Sequence, residues 1–208
     1  MRQQMEEALR GSGADYAEIR IERAQTTEIS FRGREIDRIS SSGSLGGTAR
    51  AAVKGGWGIV TFNDVSDLRG RVNEAVACAQ LVGHEKTALA DVERIEEMIP
   101  APAMSRDFRG VALSEKKQVT EQYNGLMLGV PGIHTTQTSY RDVYREVYFA
   151  SSEGSYFEET RPDVVVSLNA VARVSPAPSP SSWLPTVITA PPMLQLRAGE
   201  LAAPQRSL

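Results

Sequence analysis

Cysteine occurs once in the chain, at Cys78, and histidine twice, at His84 and His134. A single thiol cannot close an intramolecular disulfide, so nothing points to an oxidising compartment. With so few imidazoles and thiols, a zinc site of the usual three or four ligands is hard to assemble. Long apolar runs are also missing. No stretch reaches the roughly 18 residues of a membrane span, and the opening MRQQMEEALRGSG is charged, unlike a signal peptide. Charge of one sign is not in excess either. The 23 basic and 26 acidic residues give −3 and are interspersed, leaving no basic patch to neutralise phosphates. The expectation is a cytoplasmic protein with no nucleic-acid and no membrane partner.

What is present is patterned. Residues 5–9 read as a short helix ending at Gly11-Ser12-Gly13. In Tyr16-Ala17-Glu18-Ile19-Arg20-Ile21-Glu22, Ala17, Ile19 and Ile21 alternate with polar residues, the period of a strand with one buried face. Residues 27–31 continue it with Ile29 and Phe31, and Arg32-Gly33-Arg34 supplies a turn. A second hairpin joins residues 47–54 to residues 57–62 through Lys54-Gly55-Gly56, with Ala49, Ala51 and Ala52 small enough for close packing. A helix capped by Ser66 follows, presenting Val72, Ala75, Val76, Ala79 and Val82 on one face.

Residues 83–113 carry few signals and read as an irregular linker. Ser114 is the candidate cap of another amphipathic helix, whose apolar face holds Val119, Tyr123, Leu126 and Met127 and whose end is Gly129-Val130-Pro131. Strands return over residues 133–172, broken by a turn at Ser151-Ser152-Glu153-Gly154. Segregated strands and helices predict an α+β domain over residues 1–173, with mainly antiparallel sheet covered by two amphipathic helices and a sub-boundary within 83–113. Residues 174–208 differ in kind: seven of the 11 prolines fall there, with one acid and two bases. That composition predicts a disordered tail. The abrupt loss of charge and alternation beyond Arg173 also fits an out-of-frame continuation.

Each recognisable chemistry falls short. His84-Glu85 begins like H-E-x-x-H, but Ala88 and Leu89 stand where the second histidine belongs. His134 has no evident partner, and Cys78 reads as a half-buried structural thiol. Ser42-Gly43-Ser44-Leu45-Gly46 lacks the first glycine of a nucleophile elbow and reads as a flexible turn. Gly11-Ser12-Gly13 precedes a strand, where a dinucleotide loop follows one. The pairs Glu96-Glu97 and Glu158-Glu159 read as solvated. No catalytic, cofactor-binding or metal-binding residue is assigned.

Four stretches, in order, resemble the amino-terminal domain of the TldD/PmbA family of zinc metallopeptidase subunits. They are Ala14-Asp15-Tyr16-Ala17-Glu18-Ile19-Arg20; Gly46-Gly47 through Arg50 to Gly55-Gly56-Trp57-Gly58; Ser114-Glu115-Lys116-Lys117; and Tyr140 followed by Ser151-Ser152-Glu153-Gly154. The resemblance implies proteolysis of unfolded or small peptides by two-subunit assemblies enclosing a chamber. It also implies zinc held in one subunit by an H-E-x-x-x-H helix and a later cysteine, with the glutamate as base. That helix belongs after the strands ending near Arg173, so the chain is expected to be truncated before the zinc motif and inactive alone. The role implied for residues 1–173 is scaffolding: chamber walls, contacts with a second subunit, and positioning of an extended peptide. The alternative is a stand-alone, non-enzymatic α+β interaction or dimerisation module.

Overall fold

A computed structural model describes residues 1–85, 89–90 and 92–173. The proline-rich residues 174–208, expected as a disordered or out-of-frame tail, lie outside the described residues. The order of elements is α1 (Arg2–Leu9), β1 (Tyr16–Arg32), β2 (Glu35–Val53), β3 (Gly56–Phe62), α2 (Leu68–Val82), β4 (Glu96–Ile99), α3 (Leu113–Leu128), β5 (Ile133–Ser151) and β6 (Tyr156–Ala172). The strands form one mostly antiparallel sheet in the order β3-β2-β1-β5-β6-β4. This is the α+β architecture the patterning predicts.

The strands are longer than the alternation alone marks. β2 spans 19 residues and absorbs Ser42-Gly43-Ser44-Leu45-Gly46, so that stretch is strand and not a flexible turn. Its first twelve positions are all exposed or half-exposed, and without a buried face they carry no period-two signal. Only its last seven residues pair with β3, in antiparallel register from Gly47 opposite Phe62 to Val53 opposite Gly56. The expected linker also holds structure: β4 adds parallel to β6, with Glu96 opposite Tyr156 and Ile99 opposite Glu159. A 3-10 turn at Phe108–Gly110 buries Phe108.

Contacts divide the chain into two compact units. The first comprises Met1–Gln25, Gly43–Pro102 and Arg145–Arg161. Its core is apolar: Met5, Ile19, Ile21, Val72, Ala75 and Ala79 are fully buried. Each large aliphatic side chain removed from water in this way contributes about 1.5–3 kcal/mol. α2 lies close against the glycines of β3. A Cβ at Gly58 would collide with the Ala75 carbonyl, and one at Gly56 with that of Ala79. Helix α2 is capped by Asp67, whose carboxylate accepts from Gly70 N at 2.8 Å. Ser66, the expected cap, instead donates its hydroxyl to Asp64, and Val82 is exposed.

Among the described residues, the second unit comprises Thr26–Ser42, Ala103–Tyr144 and residues 162–173. Its apolar cluster is small, with Ile29, Phe31 and Tyr140 buried and Val164 and Val166 packed against them. α3 is held differently from the sequence expectation. Its buried residues are Lys116, Thr120 and Asn124, while Leu126 is 66% exposed and Val119, Tyr123 and Met127 are half-buried. At 100° per residue, the helix is turned roughly 75° away from its apolar stripe. Nor does Ser114 cap it; the first-turn position is taken by Ala112, with no side-chain bond.

Candidate functional site

Residues singled out by chemistry are not gathered in one place. His84 and Glu85 follow α2 and are exposed, and His134 is exposed on β5. Cys78 is exposed on α2, not half-buried; its Cβ lies close to Gly58 of β3. Glu96 and Glu97 are exposed on β4. Glu158 and Glu159 are half-buried, not solvated: Glu158 accepts from the Tyr156 hydroxyl and Glu159 pairs with Arg161 at 2.5 Å. Among the described residues, no group of three or more His, Cys, Asp or Glu could hold a metal ion. The donor set present therefore does not fit a zinc centre, and no metal-assisted step can be assigned to these side chains.

The structure does contain an exposed strand edge in the second unit. β4 pairs with β6 only over Tyr156–Glu159 of β6. From residue 162 to residue 172, no strand pairs with β6 on that side among the described residues. Backbone N–H and C=O groups along such an edge are ready to accept another extended chain. The sequence Val164-Val165-Val166-Ser167-Leu168 favours the extended state through its β-branched residues. Val164 and Val166 turn inward against Ile29, Phe31 and Tyr140, whereas Val165 and Val171 are exposed.

Behind that edge, β5 is fixed to α3 by a ladder of polar bonds. Asn124 Nδ2 donates to Gly33 O at 2.7 Å, and its Oδ1 accepts from Thr136 Oγ1 at 2.7 Å and Thr138 Oγ1 at 3.0 Å. Thr120 Oγ1 donates back to Lys116 O at 2.8 Å. Lys116 Nζ and the Tyr140 hydroxyl both donate to Asp142 Oδ2, at 2.5 Å and 2.6 Å. The ammonium and carboxylate are 6% and 4% exposed, so each needs the other in place of water. Burial first, and the hydrogen bond to Asp142 second, push the Tyr140 phenol well above its ordinary range. The hydroxyl stays a donor at neutral pH. Alternation on β5 (Thr136, Thr138, Tyr140, Asp142) and the four-residue repeat on α3 (Lys116, Thr120, Asn124) bring these groups face to face. A polar i, i+4, i+8 series opposite an i, i+2 polar strand was the available signal, and an apolar-stripe reading passes over it.

Fold and sequence together define the amino-terminal part of a metallopeptidase family. Residues 17–79 match the family described as PmbA/TldA metallopeptidase domain 1, and residues 85–184 match the PmbA/TldA metallopeptidase central domain. The chain belongs to the PmbA/TldD family. It is 34% identical over 163 residues to a metalloprotease of Synechocystis sp., covering 78% of this chain and 35% of that protein. It is 26% identical over 171 residues to a metalloprotease of Methanocaldococcus jannaschii, covering 76% and 36%. The chain thus spans about a third of the length of these relatives. Among solved structures it is similar in fold to TldE from Thermococcus kodakarensis, with a TM-score of 0.65, 14% identity, and coverage of 82% of this chain and 40% of that one. A candidate DNA-gyrase modulator from Bacteroides thetaiotaomicron is also similar in fold, with a TM-score of 0.68, 18% identity, and coverage of 83% and 40%. No helix among the described residues is long and apolar enough to cross a membrane.

Proposed function

We propose that this region is the non-catalytic scaffold of a cytoplasmic PmbA/TldD-type metallopeptidase subunit and that it holds an extended peptide along the free edge of β6. The observation that carries the reading is the strand edge from residue 162 to residue 172, which no other strand covers among the described residues, backed by a strand pinned through Asn124 and Asp142. Backbone pairing along such an edge is tolerant of sequence, as an enzyme acting on unfolded or small peptides requires. Zinc, where the assembly carries it, would polarise the scissile carbonyl and activate water. The described residues contribute position and not ligands. A second PmbA/TldD-type subunit would cover surfaces left open here.

The test is to titrate the purified chain into a fluorescein-labelled unstructured peptide of about a dozen residues, with and without added zinc. The anisotropy should rise saturably, and mass spectrometry should find the peptide intact under both conditions. No binding at the highest protein concentration removes the edge role. Zinc-dependent cleavage by this chain removes the scaffold reading.

A further inference from the structure

A hollow of about 530 Å³ opens in the first unit where the end of α1 and the Gly11-Ser12-Gly13 loop face the Ser151-Ser152 turn and Arg94. Gly11 and Gly13 have φ of +68° and +73°, and a Cβ on either would meet nothing within 4 Å, so the loop borders open space. The charged residues lining the hollow are Arg2, Arg10, Arg94 and one acid, Glu6. Arg2 is already engaged by Glu6 and by Glu96, at 2.8 and 2.6 Å, and lies over the Tyr156 ring. Arg10 and Arg94 are not so committed. Among the described residues neither makes an ion pair; Arg94 spends its Nε on Gly154 O at 2.6 Å and acts on Glu96 only at longer range.

A helix C-terminus would ordinarily supply carbonyls to absorb such charge. Here most of them are taken: Glu6 O accepts from Arg10 N, Leu9 O from Ser12 N, and Glu7 O and Arg10 O from the Arg69 guanidinium. The hollow therefore presents two guanidinium groups flanked by the hydroxyls of Ser12, Ser151 and Ser152, in a chain whose net charge is −3. Planar N–H forks flanked by hydroxyls match the geometry of a two- or three-oxygen anion.

We infer that this hollow is an oxyanion-binding site, taking the carboxylate or phosphate of a small ligand between Arg10 and Arg94. Its ligand chemistry is independent of the peptide-holding role of β6. The two sources of the anion separate by probe. Inorganic phosphate, acetyl-alanyl-alanine and acetyl-alanyl-alanine amide are each titrated into the ¹⁵N-labelled full chain at low salt. Phosphate or the free-acid peptide should shift the amides of Gly11, Gly13 and Ser152 saturably, and the amide should not. A response to phosphate alone assigns the site to phosphoryl ligands, and one to the free acid alone to carboxylates. Arg10→Gln and Arg94→Gln should each weaken the response at least tenfold. Arg10→Lys, which keeps the charge and shows that the loop is intact, should recover part of it. Absence of a saturable shift with both anions, an equal response to the amide, or undiminished binding by both glutamine variants overturns the assignment.

Discussion

Helices α2 and α3 solve the problem of lying on a sheet in opposite ways. α2 reaches β3 by omission: Gly56 and Gly58 remove the Cβ atoms that would strike Ala79 and Ala75, and the contact is backbone against alanine. α3 reaches β5 by hydrogen bonding, with Lys116, Thr120 and Asn124 pointing inward. The first kind of contact tolerates no added volume. The second tolerates no missing partner, because a buried polar group left unpaired bears its full desolvation cost. The two contacts therefore fail for different reasons, one through added volume and the other through a lost partner.

The largest break should come from Lys116→Met. It leaves the Asp142 carboxylate, 4% exposed, without its cation, and should cost about 3–5 kcal/mol in urea unfolding. Adding Asp142→Leu and Tyr140→Phe removes every charge and orphan donor of the cluster and should recover most of that loss. If the triple variant is as unstable as the single one, the ladder is net stabilising beyond its pairing. Next in size, Gly58→Ala should cost about 1–3 kcal/mol through overpacking, read as a lowered urea midpoint at unchanged slope. Equal stability to wild type would mean that α2 is free to move away from β3.

The pH dependence sharpens the same contrast. Tyr140 is raised by burial and then by Asp142, and Tyr156 is pushed up to about 12, by burial first and then by Glu158. A phenol with a folded value above its unfolded one stabilises the fold fully below about pH 10 and loses that contribution as pH rises through the folded value. The thermal midpoint should therefore fall on the alkaline side. Tyr140→Phe should flatten the part of that fall due to the second unit and leave the Tyr156 part. On the acid side, hydrogen bonds hold Asp64, Glu96, Asp107 and Glu115 below the usual carboxylate range. Their contributions are present above about pH 4 and are lost as pH falls further; being exposed, they should produce only a shallow slope. Smallest of all, Leu126→Ala should shift stability by no more than about 0.5 kcal/mol, because that side chain is 66% exposed. A loss several times larger would restore the apolar-stripe packing of α3 expected from sequence.

Much of the first unit was legible because its buried face is apolar and regular. Ala17, Ile19 and Ile21 alternate into the core, and Val72, Ala75, Val76 and Ala79 recur at helical spacing; the structure buries all seven. The second unit was misread where polarity is inside. Val119, Tyr123, Leu126 and Met127 form the most apolar stripe on α3, yet the tertiary bonds of Asn124 and Lys116 outweigh it. Strand residues 35–46 were invisible because none of them is buried, so no alternation was selected. The β6 edge was legible as a strand but not as an edge, since the shortness of β4 is set by pairing and not by composition. The Arg10 and Arg94 hollow joins residues far apart in sequence and had no motif to announce it.

The open edge of β6 is the proposed seat of an extended peptide. Amide hydrogen exchange of the full chain, measured with and without a saturating unstructured peptide, tests it directly. Exchange should slow at alternating amides within residues 162–172, with the core amides of Ile19 and Ile21 unchanged. Peptide binding that leaves residues 162–172 exchanging as before would contradict that placement.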